Sequence, residues 1–134
     1  MFSHVFLAAS DFKRSYAFYA PLMQALDIKQ RFHVPENSWA GWQPPDGGRP
    51  LFIVGIPFNA AAHHPGNGQM VAFMAKDRAS VDRAYELALT GGGTDEGGPG
   101  LRPHHHANYR GAYFRDTEGN KLCVVCHEAI TGQG

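Results

Sequence analysis

The sequence has no excess of either charge and no long run of basic residues. Its 134 residues contain 12 Lys and Arg against 12 Asp and Glu, so the formal net charge is zero. Proteins that bind nucleic acid or an anionic membrane need a concentrated positive patch, because contacts with phosphate supply much of the affinity. We therefore expect neither nucleic acid nor a membrane surface as the partner of this chain.

Long hydrophobic runs and cysteines are both scarce. No apolar run approaches the roughly 20 residues that a membrane-spanning helix needs, and no basic stretch followed by an apolar run marks a signal peptide. Cys123 and Cys126 lie three positions apart in a strand-like run, which puts them on opposite faces and keeps them from bridging each other. Two unpaired thiols are typical of a reducing compartment, so we expect a cytoplasmic protein.

An internal repeat is the strongest feature that the sequence does have. A short apolar run that ends in an aspartate occurs at 4–11 and again at 70–77. A one-sided stripe of apolar residues at helical spacing follows each copy. Asp11 is well placed as the N-cap of the first helix, and Pro21 within that helix predicts a kink or a late first turn. Two such strand–helix units in a chain of 134 residues indicate a duplicated module.

The rest of the chain completes two modules of the order β-α-β-β-β within one domain's length. Module one is expected at about 1–56, with strands at 3–9, 28–34, 38–43 and 51–55 and a helix after the first strand. A linker follows at about 57–68. Module two is expected at about 69–128, with a strand at 70–75, a helix at 78–90, a Gly/Pro-rich loop at 96–103 and strands at 109–115 and 121–126. We expect the tail, 129–134, to be disordered.

Alternation along the strands predicts which side chains face the helices. The set expected under the helices is Val5, Leu7, Val71 and Phe73. The set expected on the opposite face is His4, Phe6, Met70 and Ala72, joined by Phe52 and Cys123 if the closing strands follow the same rule. With the helices outside, this second set would line a concave surface, which is where small molecules usually bind.

These features resemble the glyoxalase/bleomycin-resistance/extradiol-dioxygenase superfamily, also called the vicinal oxygen chelate proteins. The matching stretches are His4-Val5-Phe6-Leu7 with Ser10-Asp11-Phe12 and Phe18-Tyr19, Val71-Ala72-Phe73, and Ala112-Tyr113-Phe114-Arg115-Asp116 with Gly119-Asn120-Lys121-Leu122. The resemblance covers nearly the whole chain. It implies an α+β fold in which two β-α-β-β-β modules form a curved, cup-like mixed sheet with the helices outside.

The resemblance also implies a divalent metal in the cup, held from the first and last strands of each module. Carried over residue by residue, the four ligand positions here are His4, Phe52, Met70 and Cys123. Phe52 has no donor atom, and Met70 offers only a weak thioether. Because a catalytic metal needs about three protein ligands, a divalent metal is disfavoured. If a metal is bound, we expect its ligands to be His4 and Cys123.

The segment 102–110 is the most polar and aromatic part of the chain and precedes a strand of the cup. Neighbours in an extended chain point to alternate sides, so His104 and His106 could share a side that His105 does not. We expect one of the two, together with Tyr109, to border the cup; the alternative is a solvated loop. The candidate catalytic residues are His4, His104 and Tyr109, and the candidate pocket residues are Phe6, Phe52, Met70, Ala72, Cys123 and His106.

Two classes of function remain open from the sequence. The first is a glyoxalase-like lyase or isomerase that acts on a small oxygenated or thiol-conjugated molecule by proton transfer through His4 or the 104–109 segment. The second is a metal-independent protein that sequesters an aromatic or antibiotic-like ligand, as the bleomycin-resistance branch does. We also expect a homodimer, with the two modules in one cup or exchanged between chains, because one module alone has too few strands to bury a cup.

Overall fold

The computed structural model describes residues 1–129 of the chain, and the predicted disorder of 130–134 falls outside the described residues. The described residues form two helices and eight strands in the predicted order. The first module contains β1 (His4–Ala8), α1 (Phe12–Ala25), β2 (Lys29–Val34), β3 (Trp39–Gln43) and β4 (Leu51–Gly55). The second contains β5 (Val71–Met74), α2 (Arg78–Thr90), β6 (Thr94–Leu101), β7 (Arg110–Arg115) and β8 (Lys121–Cys126).

Each module builds its own four-stranded mixed sheet. The strand order is β1-β4-β3-β2 in the first sheet and β5-β8-β7-β6 in the second. In each sheet the first strand of the module pairs in parallel with the last, and the other pairs are antiparallel. The predicted α+β fold of two β-α-β-β-β modules is confirmed. The two sheets are not joined by a strand pair, so β1 and β5 are both edge strands.

The helices begin where the aspartates predict. The Asp11 side chain accepts the N–H of Arg14 at 3.1 Å, and the Asp77 side chain accepts the N–H of Ser80 at 2.7 Å. Each aspartate thereby satisfies one of the N–H groups that have no partner in the first turn of a helix. Pro21 does not end α1, which continues to Ala25. No helix of the described residues is long and apolar enough to cross a membrane.

The helices and the helix-facing sides of both sheets share one hydrophobic core. Tyr19 of α1 and Val81 of α2 are fully buried in it. Phe18 of α1 reaches across to Phe114 of β7, with 6.5 Å between the ring centroids. The side chains predicted to face the helices all belong to this core or pack against it: Val5, Leu7, Val71 and Phe73. Because rings from both modules meet here, the core spans both modules.

Phe52 lies on the face opposite to the predicted one. Its ring packs against Tyr19 and Phe73, with centroid distances of 5.1 and 4.9 Å, inside the shared core. The parallel register of β1 and β4 pairs Val5 with Phe52, and paired residues point to the same face of a sheet. Leu51 and Ile53 therefore take the positions that face away from the helices. The predicted alternation along β4 was therefore wrong by one residue. An error of one residue in a strand assigns every side chain of that strand to the wrong face.

The predicted loop at 96–103 is also wrong, because most of it is strand. β6 pairs with β7 through two register shifts, one between Asp95 and Gly97 and one between Gly97 and Gly100. Pro99 falls within the second shift, where no ladder hydrogen bond is required of it. Glycine and proline hide the two-residue period of a strand and are typical of turns, which is why the composition indicated a loop.

A buried network anchors the turn between β7 and β8 on the first module. The Asp116 carboxylate accepts the hydroxyl of Tyr19, the side-chain amide and the N–H of Asn120 at 2.9 Å each, and the N–H of Glu118 at 2.8 Å. Asn120 also donates to the carbonyl of Ala8, at the end of β1, at 3.1 Å. The sequence predicted only a hairpin connection here. The structure shows that this turn holds the two modules together.

Candidate functional site

The face of each sheet that points away from the helices, which was predicted to be concave, is here called its concave face, and that of the first sheet carries several aromatic rings. Phe6 and Trp39 lie on it and are 46% and 40% exposed, which is unusual for rings of this size. Glycines make room for the rings. A Cβ at Gly41 would lie only 2.3 Å from the ring of Phe32, and one at Gly55 would lie 3.2 Å from that of Phe6. The first sheet therefore offers a mainly aromatic surface on this face.

The concave face of the second sheet carries a hydrogen-bonded group of two phenols and a thiol, here called the phenol–thiol cluster. Tyr113 of β7 and Cys123 of β8 are register partners. The Tyr109 hydroxyl lies 2.9 Å from the Tyr113 hydroxyl and 3.6 Å from the Cys123 sulfur. Gly111 allows this arrangement, because a Cβ there would lie 2.8 Å from the Tyr109 ring. Three side chains from different parts of the module thus converge on one point.

Cys123 and Tyr109 of the phenol–thiol cluster hold their protons at neutral pH. Burial raises the pKa of the Cys123 thiol, although hydrogen bonds from Tyr109 and Tyr113 act in the opposite direction. Burial, followed by the hydrogen bonds with Tyr113 and Cys123, raises the pKa of Tyr109 far above its usual range. The cluster can therefore donate hydrogen bonds to a ligand, but it contains no anion and no ready thiolate nucleophile.

Two cations border the phenol–thiol cluster. The guanidinium carbon of Arg102 lies 5.5 Å from the centroid of the Tyr113 ring, and Lys121 Nζ lies 5.9 Å from it. These distances are within the range of cation–π contacts. Tyr113, Arg102 and Lys121 were not predicted from the sequence as site residues. Alternation along its strand could have placed Tyr113 on the same face as Cys123. The position of Arg102 could not be predicted in this way, because it follows β6, a strand whose composition is typical of a loop.

Histidines surround the ring of Tyr109. Its centroid lies 4.6 Å from that of His105, 5.6 Å from that of His106 and 5.4 Å from that of His127. His106 Nε2 and His127 Nδ1 are 2.9 Å apart. The structure thus brings His106 and Tyr109 together, while the ring of His104 is exposed and lies tilted against that of His105, with 4.3 Å between the centroids. His127 follows β8 and was not singled out from the sequence.

The remaining predicted residues lie in different surroundings. Ala72 pairs with Cys123 between β5 and β8 and shares its concave face. Phe6 lies on the first sheet, as described above, and Met70 is exposed just before β5 begins. His4 is exposed on β1, where its Nδ1 lies 3.0 Å from the hydroxyl of Ser3. His4 and Cys123 belong to different sheets and share no hydrogen-bond partner.

The donors on the concave faces do not fit the divalent metal that the resemblance implies. At the four carried-over positions stand an exposed imidazole, a phenyl ring that is turned into the core, a thioether and a protonated thiol. Within residues 1–129 no group of three or more His, Cys, Asp and Glu side chains is arranged to hold a metal ion. A tight catalytic site needs about three such ligands around one point. We therefore derive no chemical step from a metal at these positions.

Two surface grooves flank α1 on the other side of the first sheet. One lies beside its N-terminal half, where the rings of Tyr16 and His33 stack at 3.8 Å. The other lies beside its C-terminal half and is lined by Gln24, Lys29 and Trp42, among others. The Tyr16 hydroxyl already donates to Gln30, and neither groove brings several donors or nucleophiles to one point. The concave face of the second sheet remains the best candidate site.

Comparisons with known proteins agree with this fold. The family model of the Glyoxalase/Bleomycin resistance protein/Dioxygenase superfamily matches residues 1–124. A glyoxalase/bleomycin resistance protein from Albidiferax ferrireducens is 31% identical, covers 94% of this chain and 98% of its own, and superposes with a TM-score of 0.84.

More distant solved structures share the fold. A glyoxalase/dioxygenase from Nostoc punctiforme is 19% identical over 96% of this chain and 92% of its own, with a TM-score of 0.66. A lactoylglutathione lyase from Agrobacterium tumefaciens is 21% identical over 94% and 92%, with a TM-score of 0.60. A search of curated proteins finds no significant match. The family match confirms the resemblance that the sequence carries.

Proposed function

We propose that this chain, which belongs to the Glyoxalase/Bleomycin resistance protein/Dioxygenase superfamily, binds a small oxygenated molecule on the concave face of its second sheet. The observation that carries the proposal is the phenol–thiol cluster of Tyr109, Tyr113 and Cys123, which is held together by its own hydrogen bonds. Neutral donors that converge on a concave surface suit a carbonyl, hydroxyl or carboxylate oxygen. Binding of this kind depends on hydrogen bonds and needs no metal.

A second copy of the chain completes the site in this proposal. β1 and β5 are edge strands, and large apolar side chains next to them are exposed: Phe6 by 46%, Met70 by 43% and Met74 by 72%. Exposed apolar surface beside an unpaired strand edge is typical of an interface. In the homodimer, the aromatic concave face of one copy covers the polar concave face of its partner. The ligand then lies between an apolar wall and a hydrogen-bonding wall.

Catalysis by proton transfer is the second candidate function, as a lyase or isomerase of a small oxygenated or thiol-conjugated substrate. The observation in its favour is the packing of the His106 and His127 rings against the ring of Tyr109, which places imidazoles, the commonest groups in proton transfer, beside the proposed ligand. Since its pKa is raised, Tyr109 would keep its proton and donate a hydrogen bond to the substrate. Within one copy of the chain, His4 and His104 lie away from the phenol–thiol cluster.

Fluorescence titration tests the binding proposal. Trp39 is half-exposed on the concave face and Trp42 is buried in the core, so a Trp42→Phe variant reports from the face alone. In the Trp42→Phe background, small carbonyl and phenolic compounds should quench the fluorescence of Trp39 until the site is saturated. Adding Tyr109→Phe or Tyr113→Phe should weaken binding about tenfold, which is the effect of one lost hydrogen bond to a ligand.

The matched control is Tyr16→Phe, which removes a phenol from the opposite side of the first sheet and should leave the affinity unchanged. Equal affinities in all the tyrosine variants would contradict the proposed site. Product formation followed by NMR over the same titration separates the two candidate functions, because a binding protein returns every compound unaltered.

A cytoplasmic location stays a prediction, since Cys123 and Cys126 are both free thiols.

A further inference from the structure

We infer that the ligand of the concave face is a compact organic anion, bound by Arg102 and Lys121 beside the ring of Tyr113. The inference rests on the proposed function and names the class of ligand for the same site. It comes from the charges around the phenol–thiol cluster and from the way in which the chain holds the guanidinium group. Neither cation entered the argument for the binding function itself.

The two cations lack an anionic partner within the described part of the chain. Other arginines of the same sheet have one: Arg110 pairs with Asp82 at 2.8 Å and Arg115 with Glu96 at 3.5 Å. Arg102 donates instead to a neutral acceptor, the carbonyl of Gly98, at 2.8 Å, and no acidic group lies within 4 Å of Lys121 in residues 1–129. Two like charges placed at one ring repel each other unless an anion lies between them.

The phenol–thiol cluster does not supply that anion. Burial raises the pKa of Cys123, and the pKa of Tyr109 is raised as well, so both groups are neutral at neutral pH. The charges of Arg102 and Lys121 therefore act on whatever occupies the concave face. Both side chains are partly buried, so solvent screens their attraction for an anion less than it would at a fully exposed site.

The backbone holds Arg102 in place before any ligand arrives. Its N–H donates to the carbonyl of Tyr109 at 2.8 Å, which ties the end of β6 to the start of β7. A Cβ at Gly100 would lie 2.9 Å from the guanidinium, and one at Gly97 would lie 3.4 Å from it, so these glycines leave the space along which the side chain lies. A guanidinium fixed in this way presents a planar fork of donors that suits a carboxylate.

The geometry places both charges around one ring. The guanidinium carbon of Arg102 and Lys121 Nζ lie 5.5 and 5.9 Å from the centroid of the Tyr113 ring, so both charges act on a ligand that lies beside this ring. The hydroxyls of Tyr109 and Tyr113 can donate to a further oxygen of the same molecule. We therefore expect a small carboxylate with a further hydroxyl or carbonyl oxygen.

The test compares matched acids and amides by calorimetry on the full chain: salicylate with salicylamide, and phenylacetate with phenylacetamide. Each acid should bind at least tenfold more tightly than its amide, and added salt should weaken only the acids. Arg102→Gln should abolish this preference, and Lys121→Gln should reduce it severalfold. Arg102→Lys, which keeps the charge and loses the fork, should give an intermediate value. Circular dichroism of each variant confirms that it is folded.

The matched controls are Arg83→Gln and Lys13→Gln, which remove exposed cations from the helices and should change nothing. Equal binding of acids and amides, together with weaker binding of both in Tyr113→Phe, would overturn the inference and leave the proposed binding site intact. Displacement of the acids by equimolar inorganic phosphate would overturn the organic part of the inference. If neither member of any pair binds the unaltered protein, both the inference and the proposed function fail.

Discussion

Removal of the Tyr19 hydroxyl should destabilise the folded chain by about 2 kcal/mol, the usual contribution of a hydrogen bond to a charged group. The hydroxyl is fully buried and donates to Asp116, which joins α1 to the β7–β8 turn. Tyr19→Phe keeps the ring and its packing against Phe18 and Phe52, at 5.0 and 5.1 Å between centroids. Asp116 keeps its donors from the turn itself, so the change isolates the contact between the modules.

Asp116→Ala is the larger perturbation of the same network. It removes the acceptor of the Tyr19 hydroxyl, of two donors of Asn120 and of the N–H of Glu118. Because at least one of these donors is fully buried and gains no water, we expect a loss of about 3–5 kcal/mol. Once the carboxylate is absent, adding Tyr19→Phe should cost nothing and should recover some stability, because it removes a hydroxyl that has lost its partner; the coupling energy in the double-mutant cycle is therefore at least about 2 kcal/mol.

Tyr85→Phe is the matched control, because Tyr85 occupies the corresponding position in the second helix. Its hydroxyl also donates to an aspartate, Asp95, at 2.9 Å, but this bond is exposed to solvent. We expect its loss to cost under about 0.5 kcal/mol. Urea unfolding followed by circular dichroism measures all the variants, and the melting temperature of Tyr19→Phe should fall by about 6–10 °C. The reasoning is refuted if Tyr19→Phe is no less stable than Tyr85→Phe, or if the costs of the two changes in the cycle simply add.

Three further predictions concern the concave faces. A sizing column should give a homodimer at micromolar concentration, and Phe6→Glu should convert it to a monomer because a carboxylate cannot be buried unpaired there; a monomer before the change would contradict this. Burial raises the pKa of Cys123, so its alkylation, followed by mass spectrometry, should increase with pH only above the range of an ordinary thiol. Tyr109→Phe removes a hydrogen bond that lowers the pKa of Cys123, so the pH at which alkylation begins should rise further. A shift of this pH to a lower value would contradict the hydrogen bond between Tyr109 and Cys123. Nitrogen NMR of the neutral ring should find the proton of His106 on Nε2, since its Nδ1 accepts the N–H of Asn108 and its Nε2 then donates to His127; a proton on Nδ1 would contradict the hydrogen bond from Asn108.

The sequence by itself determined the features that depend on neighbours in the chain. The repeat, the order of the elements and the helix starts at Asp11 and Asp77 follow from residue spacing and capping, which act over one or two turns. The faces of β1 and β5 follow from alternation alone, and the side chains predicted to face the helices do pack against the core. The family resemblance has the same origin, because it rests on short stretches in a given order.

The tertiary structure decided whatever depends on the pairing of strands that are distant in the chain. Phe52 points into the core because its register with Val5 puts it there, and a register is a property of two strands and not of one. β6 is a strand because β7 supplies its hydrogen bonds, in spite of a composition typical of a loop.

The candidate site depends on such pairing as well. Tyr109 was predicted to border the cup, and that role stays a prediction. Its surroundings come from the β7–β8 ladder, which brings Tyr113 beside Cys123, and from the end of β8, which brings His127 against the Tyr109 ring. Arg102 joins them because the end of β6 is tied to the start of β7. A site assembled from three strands has no contiguous signal in the sequence, because its chemistry exists only once the sheet has brought the side chains together.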